Sequence, residues 1–302
     1  KVKQSQLSKN VTKQRKSICI FSKSLVFDIF FRTKMNYKLL CSDIDGTLLN
    51  KDRILSPATI TQFNRIKDAC HCVLASSRMP KAMRHLQKDL SIEKSPLIAY
   101  NGGLVLEDDR VLTSTEIPFS IVRQIAEFAK GTEVHVSIYN ADEWYVPQFD
   151  YWAERETNNT KVKPTVRSIE ETLSAFKPTN RGAHKVMCMG PADEIAKIYA
   201  SLIDSYEYDL HIYKSKDTYL EIANKLISKK SAIQTLMNIE FPELDWTQVI
   251  AFGDNYNDME MLDAVGMGVA VGNARSEVLA IADFITSTNK EDGVAKAMEE
   301  LM

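Results

Sequence analysis

The chain has 302 residues, of which 44% are hydrophobic and 26% are charged, as is typical of a folded globular protein with room for two domains. Its net charge of −2 is unevenly distributed, because nine basic residues and one acid give residues 1–34 a charge of +8 and leave −10 for residues 35–302. An acidic body of this kind excludes nucleic acid as an expected partner.

Residues 1–34 form a basic leader, which we expect to lie outside the fold and to be poorly ordered, with Met35 as the functional start. Its longer apolar stretches are Ile18–Phe21 and Leu25–Phe31. Both are too short to span a bilayer, so no membrane partner is expected.

The five cysteines are an odd and scattered set. Cys70-His71-Cys72 lacks the two-residue gap of a zinc-binding pair, and alternation along a strand would point its thiols and its imidazole to opposite faces. We therefore interpret these residues as core packing and expect a reducing, cytoplasmic location.

The first predicted strand carries the strongest chemical signal. An apolar run begins at Tyr37 and ends abruptly in Asp43-Ile44-Asp45-Gly46-Thr47, which predicts a buried parallel strand followed by a turn. Open α/β sheets bind ligands at the carboxyl ends of their strands, where both acids would lie. A turn alone needs the glycine but not two acids, and the repulsion between two carboxylates favours either a bound cation such as Mg²⁺ or a proton shared between them.

Strands and helices then alternate. Ser56-Pro57 predicts a helix start, and Cys72–Ala75 predicts a second strand that ends in Ser76-Ser77-Arg78. Pro80 opens another helix, and Pro96–Tyr100 predicts a third strand that ends in Asn101-Gly102-Gly103. This alternation implies right-handed crossovers and a parallel sheet.

The pattern changes near Thr113, where helices and alternating strands predict an α+β unit inserted into the parallel-sheet domain. Two antiparallel strands are expected at Val134–Tyr139 and Glu143–Val146, and a capping box at Ser168 predicts a helix. The unit also holds residues that either belong to its core or pack over a ligand ring: Trp144, Tyr145, Tyr151, Trp152 and Arg155.

The parallel pattern returns in the last third of the chain. Ser228 predicts a helix cap, and Val249–Phe252 predicts a buried strand that ends in Gly253-Asp254-Asn255-Tyr256-Asn257-Asp258. The predicted fold is therefore an α/β, doubly wound, Rossmann-like core with an inserted α+β cap. We place the core at residues 35–113 and 218–302 and the cap at residues 114–217.

In a doubly wound sheet these strand ends meet at one edge, and several of their side chains also have simpler structural interpretations. Ser76 could only cap a strand end, and Asp254 with Asp258 could only stabilise the N-terminus of the next helix. Asn101 and Asn273 could be ordinary turn residues. Lys229 lies in the first turn of a helix, where the helix dipole disfavours a cation, so a carboxylate or phosphate is expected beside it.

The arrangement resembles the haloacid dehalogenase-like superfamily across residues 35–302, and in particular its Cof-type sugar-phosphate phosphatases. The resemblance implies that Asp43 is the nucleophile and that Asp45 is the general acid and base. It also implies a phosphate-binding role for Ser76 and a charge-neutralising role for Lys229. The implied Mg²⁺ ligands are Asp43, Asp45 through its carbonyl oxygen, Asp254 and the supporting Asp258. The expected phosphate-binding or substrate-binding residues are Gly46, Ser77, Arg78, Asn101, Gly102, Asn257 and Asn273.

This sequence departs from the family pattern at two positions. Ser77 and Lys230 stand where the family usually has glycine after its hydroxyl residue and after its lysine. Neither change removes a catalytic group, although either narrows the conformations open to its loop.

The resemblance implies a magnesium-dependent phosphatase acting on a small phosphorylated metabolite, in particular a sugar phosphate, with the oligomeric state left open. One alternative is a phosphosugar mutase or phosphotransferase that uses the same nucleophile. Another is a non-catalytic phosphometabolite-binding protein, which would not need Asp45. A receiver-type phosphorylation switch would need neither the paired acids nor a cap.

Overall fold

The computed structural model describes residues 37–108 and 110–302, so the predictions for the basic leader and for Met35 lie outside the described residues. The strands of the larger sheet are β1 (Leu39–Ser42), β2 (His71–Ala75), β3 (Leu97–Ala99), β4 (Leu104–Glu107), β5 (Arg110–Ser114), β12 (Val249–Gly253), β13 (Met267–Ala270) and β14 (Phe284–Ile285). The strands of the smaller sheet are β6 (His135–Asn140), β7 (Glu143–Val146), β8 (Thr165–Val166), β9 (Lys185–Met189), β10 (Leu210–Lys216) and β11 (Tyr219–Asn224).

The helices lie on the faces of these two sheets. In chain order they are α1 (Pro57–Ile66), α2 (Arg84–Asp89), α3 (Phe119–Ala129), α4 (Tyr151–Thr160), α5 (Ile169–Phe176), α6 (Ala192–Tyr206), α7 (Lys229–Glu240), α8 (Met259–Ala264), α9 (Ser276–Ile281) and α10 (Gly293–Leu301). Within the described residues, none of them is long and apolar enough to cross a membrane.

The larger sheet has the strand order β14-β13-β12-β1-β2-β3-β4-β5. Neighbouring strands are parallel from β14 to β3 and antiparallel from β3 to β5. The antiparallel edge was not predicted, although the short turn between Ala99 and Leu104 leaves no room for the crossover that a parallel strand needs.

Both faces of this sheet are covered, as the doubly wound prediction requires. Leu40 of β1 lies in a cluster with Phe63 of α1, whereas Leu39 on the opposite face lies in a cluster with Ile233 of α7. All four side chains are completely buried. Because burying a leucine side chain contributes about 1.5–3 kcal/mol, packing on both faces holds β1 firmly in the centre of the sheet.

The smaller sheet has the order β10-β11-β9-β6-β7-β8 and is antiparallel except for the β7–β8 pair. One face packs on α3 and α6 through a separate hydrophobic cluster that includes Val122 and Ile198. We call this sheet together with α3–α6 the cap layer. The structure thus confirms an α/β core with an α+β cap as the fold class.

One predicted domain boundary needs correction. β11 pairs with β9 and β10 in the smaller sheet, so a core that resumes at residue 218 cuts through a hairpin. Strand pairing decides this, and the alternation of apolar residues along Tyr219–Asn224 does not show which sheet receives the strand. We propose that the core resumes after Asn224.

The two layers meet at a junction around His184. Its imidazole stacks on Tyr100 with ring centroids 5.1 Å apart. Nδ1 accepts a hydrogen bond from the Ala141 backbone N–H at 3.1 Å, and Nε2 lies 3.0 Å from Ser114 Oγ. Nδ1 therefore carries no proton, and the ring fits this junction in its neutral form.

Acid should weaken this junction. Burial lowers the pKa of His184 to about 4, with Glu116 opposing the shift and Arg181 reinforcing it. The folded state therefore binds fewer protons than the unfolded state between pH 6.5 and 4, and stability present above that window is lost as the pH falls. Because of His184, we expect the free energy of unfolding to fall by about 2 kcal/mol from pH 7 to pH 5, as measured by urea unfolding.

The variant His184→Gln should flatten this pH dependence, whereas His211→Gln, at an exposed position, should retain it. An unchanged slope in His184→Gln would contradict the role of this residue.

Candidate active site

Adjacent strands bring the predicted acids to one edge of the larger sheet. β12, β1 and β2 are neighbours and are parallel, so the segments that follow them lie side by side. These segments begin at Asp254, Asp43 and Ser76, respectively. The spatial order of the strands therefore assembles residues from three distant parts of the chain.

Lys229 occupies the centre of the cluster. Its Nζ donates to Asp43 Oδ1 at 2.5 Å and to Asp258 Oδ1 at 2.6 Å. The lysine and Asp258 are completely buried, and Asp43 is 5% exposed. Ser228 caps α7 through its side chain and so places Lys229 in the first turn. Two carboxylates thus offset the unfavourable position of this cation in the helix dipole.

The loop after β12 is held by Asp258. Its Oδ2 accepts hydrogen bonds from the backbone N–H groups of Asp254 at 3.0 Å and Asn255 at 3.1 Å. Asp258 makes no side-chain hydrogen bond at the N-terminus of α8, so this contact differs from the structural role that the sequence left open, and it coexists with the ion pair to Lys229. The same carboxylate therefore shapes the loop and neutralises the lysine.

Thr47 also contacts the site, although the sequence analysis did not single it out. Its Oγ1 donates to Asp254 Oδ1 at 2.9 Å, across 207 residues of chain. The only signal for it in the sequence was its place at the end of Asp-x-Asp-Gly-Thr. The contact joins the turn after β1 to the loop after β12.

Burial and neighbouring charges shift the pKa values of Asp43, Asp254 and Lys229. Burial raises the pKa of Asp43 well above its usual range, despite the opposing attraction of Lys229. Burial and the Asp258 charge raise the pKa of Asp254 to about 6. Burial alone would lower the pKa of Lys229, but Asp258 and Asp43 outweigh it and raise that pKa.

The donor set fits a hard divalent cation. Oxygen atoms of Asp43, Asp254 and Asp258 lie within 4.8 Å of one another. Three carboxylates against one lysine leave excess negative charge, and among the described residues Asp43 Oδ2 and Asp254 Oδ2 accept no hydrogen bond. Carboxylate oxygens with spare lone pairs are the ligands that Mg²⁺ prefers.

Asp45 points to a different partner. Arg78 Nε donates to Asp45 Oδ2 at 2.6 Å and Arg78 Nη2 to Asp45 Oδ1 at 2.7 Å, a bidentate pair that fixes the carboxylate. Arg78 is 6% exposed and also donates to the Ala82 carbonyl. The Asp45 carboxylate is therefore outside the group of three acids, and its implied metal contact through the carbonyl oxygen stays a prediction.

Two predicted glycines are required by close approach. Gly46 has φ +89°, and a Cβ there would lie 2.5 Å from Asp254 Oδ2. Gly102 has φ +106°, and a Cβ there would lie 2.5 Å from the Ser228 carbonyl oxygen. The first lets the turn after β1 reach the loop after β12, and the second lets the turn after β3 reach the start of α7.

The remaining predicted residues line the same edge through a chain of contacts. Ser76 is buried and its Oγ accepts from the Arg78 backbone N–H at 3.3 Å. Asn257 Nδ2 donates to Asn101 Oδ1 at 3.0 Å, and Asn273 Nδ2 donates to the Gly46 carbonyl at 2.8 Å. The two asparagine contacts hold turns together, which is the structural role left open for Asn101 and Asn273. Contact of these side chains with a substrate stays a prediction.

Ser77 faces the cap layer, and Lys185 Nζ donates to its carbonyl oxygen at 3.1 Å. A cavity of about 240 Å³ begins here, with Asp45 and Ser77 at one end and residues of the cap layer, including Tyr139 and Tyr219, at the other. We call it the cap cavity. It gives a small molecule bound at Asp45 a place between the two layers.

The cysteines that the structure describes are buried. Cys41, Cys70, Cys72 and Cys188 are free and buried. Burial raises the pKa of the Cys70 thiol to about 12, so it stays protonated at neutral pH. Among the described residues, Asp43, Asp254 and Asp258 are the acidic or sulfur ligands grouped closely enough to hold a metal, in keeping with core packing at Cys70-His71-Cys72.

Known proteins are similar to this chain in sequence and in fold. A profile of the haloacid dehalogenase-like hydrolase family matches residues 40–298. A protein of Haemophilus influenzae is 32% identical over 270 residues, which cover 88% of this chain and 98% of that protein. The Bacillus subtilis 5-amino-6-(5-phospho-D-ribitylamino)uracil phosphatase YitU is 28% identical over 87% of this chain and 96% of its own length.

A crystal structure of a haloacid dehalogenase-like hydrolase from Bacteroides thetaiotaomicron aligns with a TM-score of 0.80 and 28% identity, covering 88% of this chain and all of that one. The family match spans the complete set of acids and lysine described above. The chain therefore belongs to the haloacid dehalogenase-like hydrolases and is a phosphatase of their Cof-type branch.

Proposed function

We propose that this protein is a Mg²⁺-dependent phosphatase of small phosphorylated metabolites, in particular sugar or sugar-alcohol phosphates, and that it works through an aspartyl-phosphate on Asp43. The observation that carries the proposal is the pairing of Asp43 with the buried Lys229 at the sheet edge. A carboxylate held beside a buried ammonium group is suited to meet a phosphoryl group, because Lys229 offsets the repulsion between two anions.

Asp43 is the proposed nucleophile. One of its carboxylate oxygens forms a bond to phosphorus while the bond from phosphorus to the leaving oxygen breaks. Lys229 stays hydrogen-bonded to Oδ1, which leaves Oδ2 without a partner among the described residues and available for attack. Water then attacks the aspartyl-phosphate, which releases phosphate and restores the carboxylate.

Asp45 is the proposed general acid and base. It gives a proton to the leaving oxygen in the first step and takes one from the attacking water in the second. Arg78 holds both carboxylate oxygens of Asp45 and so fixes its orientation at the mouth of the cap cavity. Asp43, Asp254 and Asp258 would hold the magnesium ion, which when bound supplies positive charge for the phosphoryl oxygens.

The substrate class rests on two observations. The Bacillus subtilis relative YitU is named for a phosphate ester of a ribityl chain. The cap cavity of this chain combines carboxylates, amides and ammonium groups that can hydrogen-bond several hydroxyl groups. The free, buried cysteines support our further proposal of a reducing, cytoplasmic location.

The test is phosphate release from a panel of sugar and sugar-alcohol phosphates, with Mg²⁺ present and after its removal by EDTA. We expect release that depends on the ion and does not need an acceptor sugar. Transfer to an added sugar without release would instead indicate a phosphotransferase, and tight binding without turnover would indicate a phosphometabolite-binding protein.

The variant Asp45→Asn should slow turnover by about 10²–10⁴-fold, because it removes general acid and base assistance from both steps. With a substrate whose leaving group needs no proton, such as p-nitrophenyl phosphate, the second step should limit the rate. Phosphorylated protein should then accumulate and be visible by mass spectrometry after acid quenching. Full activity of Asp45→Asn toward a sugar phosphate would contradict the assignment.

A further inference from the structure

The far end of the cap cavity carries three cations that form no ion pair among the described residues. Arg155, Lys185 and Lys216 line it, and among the described residues no carboxylate lies within 4.0 Å of their charged nitrogens. Arg78 at the core end differs, because Asp45 occupies its guanidinium. The three cap cations are therefore available to a ligand.

Aromatic rings hold these cations in place. The Arg155 guanidinium lies 5.2 Å from the centroid of the Tyr219 ring and Lys216 Nζ lies 5.6 Å from it. Lys185 Nζ lies 4.7 Å from the centroid of the Tyr139 ring. Cation–π contacts of this kind fix the direction of a charged group without neutralising its charge.

The hydroxyl group of Tyr219 is a second, independent sign of a missing ligand. Tyr219 is 6% exposed and lines the cavity, yet its Oη has no hydrogen-bond partner among the described residues. A buried hydroxyl without a partner costs free energy, so native structures rarely leave one unpaired. A ligand in the cavity would supply an acceptor.

The charges select the kind of ligand. Glu156 and Glu221 share the cap end of the cavity with the three cations, so positive charge is in excess there although residues 35–302 carry −10 overall. The carboxylates can accept hydrogen bonds from hydroxyl groups, and the surplus cations suit an anion. A neutral aromatic ligand that stacks on Tyr219 would fit this site less well, because two cations already lie over that ring.

We propose that the cap cavity binds the non-reacting end of a phosphorylated polyol that carries a second anionic group, either a carboxylate or a second phosphate. Arg155, Lys216 and the Tyr219 hydroxyl bind that group, while the reacting phosphoryl group meets Asp43. The inference rests on the proposed function, since it takes the cavity to be the place of the leaving group.

Matched substrates test the proposal. Sorbitol 6-phosphate and 6-phosphogluconate differ only in a terminal alcohol or carboxylate, and fructose 6-phosphate and fructose 1,6-bisphosphate differ in a second phosphate. In at least one pair, we expect kcat/KM to be about tenfold or more higher for the member that carries the second anionic group. The pair that shows this preference identifies the anion. The double variant Arg155→Gln/Lys216→Gln should lower kcat/KM mainly for the member with the second anionic group and should therefore abolish this preference. The exposed Lys197→Gln on α6 is the control and should behave as wild type.

Equal kcat/KM within both pairs, or an equal loss for both members in the double variant, would overturn the proposal. Binding to Asp43→Asn, measured by calorimetry with the same four compounds, tests it without turnover. Tighter binding of the ligand with the second anionic group, without turnover by the wild-type protein, would support the cavity assignment and overturn the proposed function. Turnover without any preference would overturn the cavity assignment alone.

Discussion

Asp43→Asn should release no measurable phosphate from any substrate of the wild-type protein, a loss of at least about 10⁴-fold. The amide is a poor nucleophile, and Asp258 cannot replace it because its oxygens already bind Lys229 and two backbone N–H groups. Phosphate release under Mg²⁺ saturation is the measurement.

The fold must be shown to survive this change. Circular dichroism and the midpoint of thermal unfolding should show a folded protein, since asparagine has the shape of aspartate. Asp204→Asn, on the exposed surface of α6, is a matched charge control and should keep full activity. Turnover by Asp43→Asn within about tenfold of wild type would end the nucleophile assignment.

Lys229→Met should destabilise the protein by about 3–5 kcal/mol at neutral pH, because it leaves Asp43 and Asp258 buried without their cation. The methionine side chain fits the space of the lysine stem. The loss of stability therefore comes mainly from the lost charge and not from lost volume. Urea unfolding measures it, and phosphate release should be lost as well.

The neighbouring lysine provides the control. Lys230→Met changes the same residue type one position along α7 at an exposed site, where substitutions shift stability by about 0.5 kcal/mol or less. Acid should narrow the deficit of Lys229→Met, because protonation removes the uncompensated charges. If the two variants unfold at the same urea concentration, the buried cation does not hold the site together.

The exposed position of Lys230 also bears on a departure noted in the sequence. A glycine is usual there in the family, and the lysine was expected to narrow the loop conformations or to add charge. In the structure this residue lies within α7, immediately after the buried Lys229, and its side chain is exposed. The helix geometry thus turns two adjacent lysines to different environments.

Local patterns determined much of this protein without reference to the rest of the chain. Ser168 with Glu171 forms the expected capping box, and the strand Glu143–Val146 has the predicted bounds. Asp43 and Asp45 could be singled out because two acids beside a glycine turn exceed what a turn needs. Such signals depend on neighbours in the chain, so the sequence shows them directly.

Only the tertiary structure shows the strand pairings and side-chain contacts between segments that are far apart in the chain. The sequence did not show that Tyr219–Asn224 joins the smaller sheet, because the residue pattern within a strand does not identify the strand with which it pairs. It did not show that Arg78 holds Asp45 or that Thr47 contacts Asp254, because each contact needs two segments folded against each other. Sequence therefore determined which residues carry the chemistry, and the packing of distant segments determined which of them share a charge, since Coulomb interactions depend on distance in space.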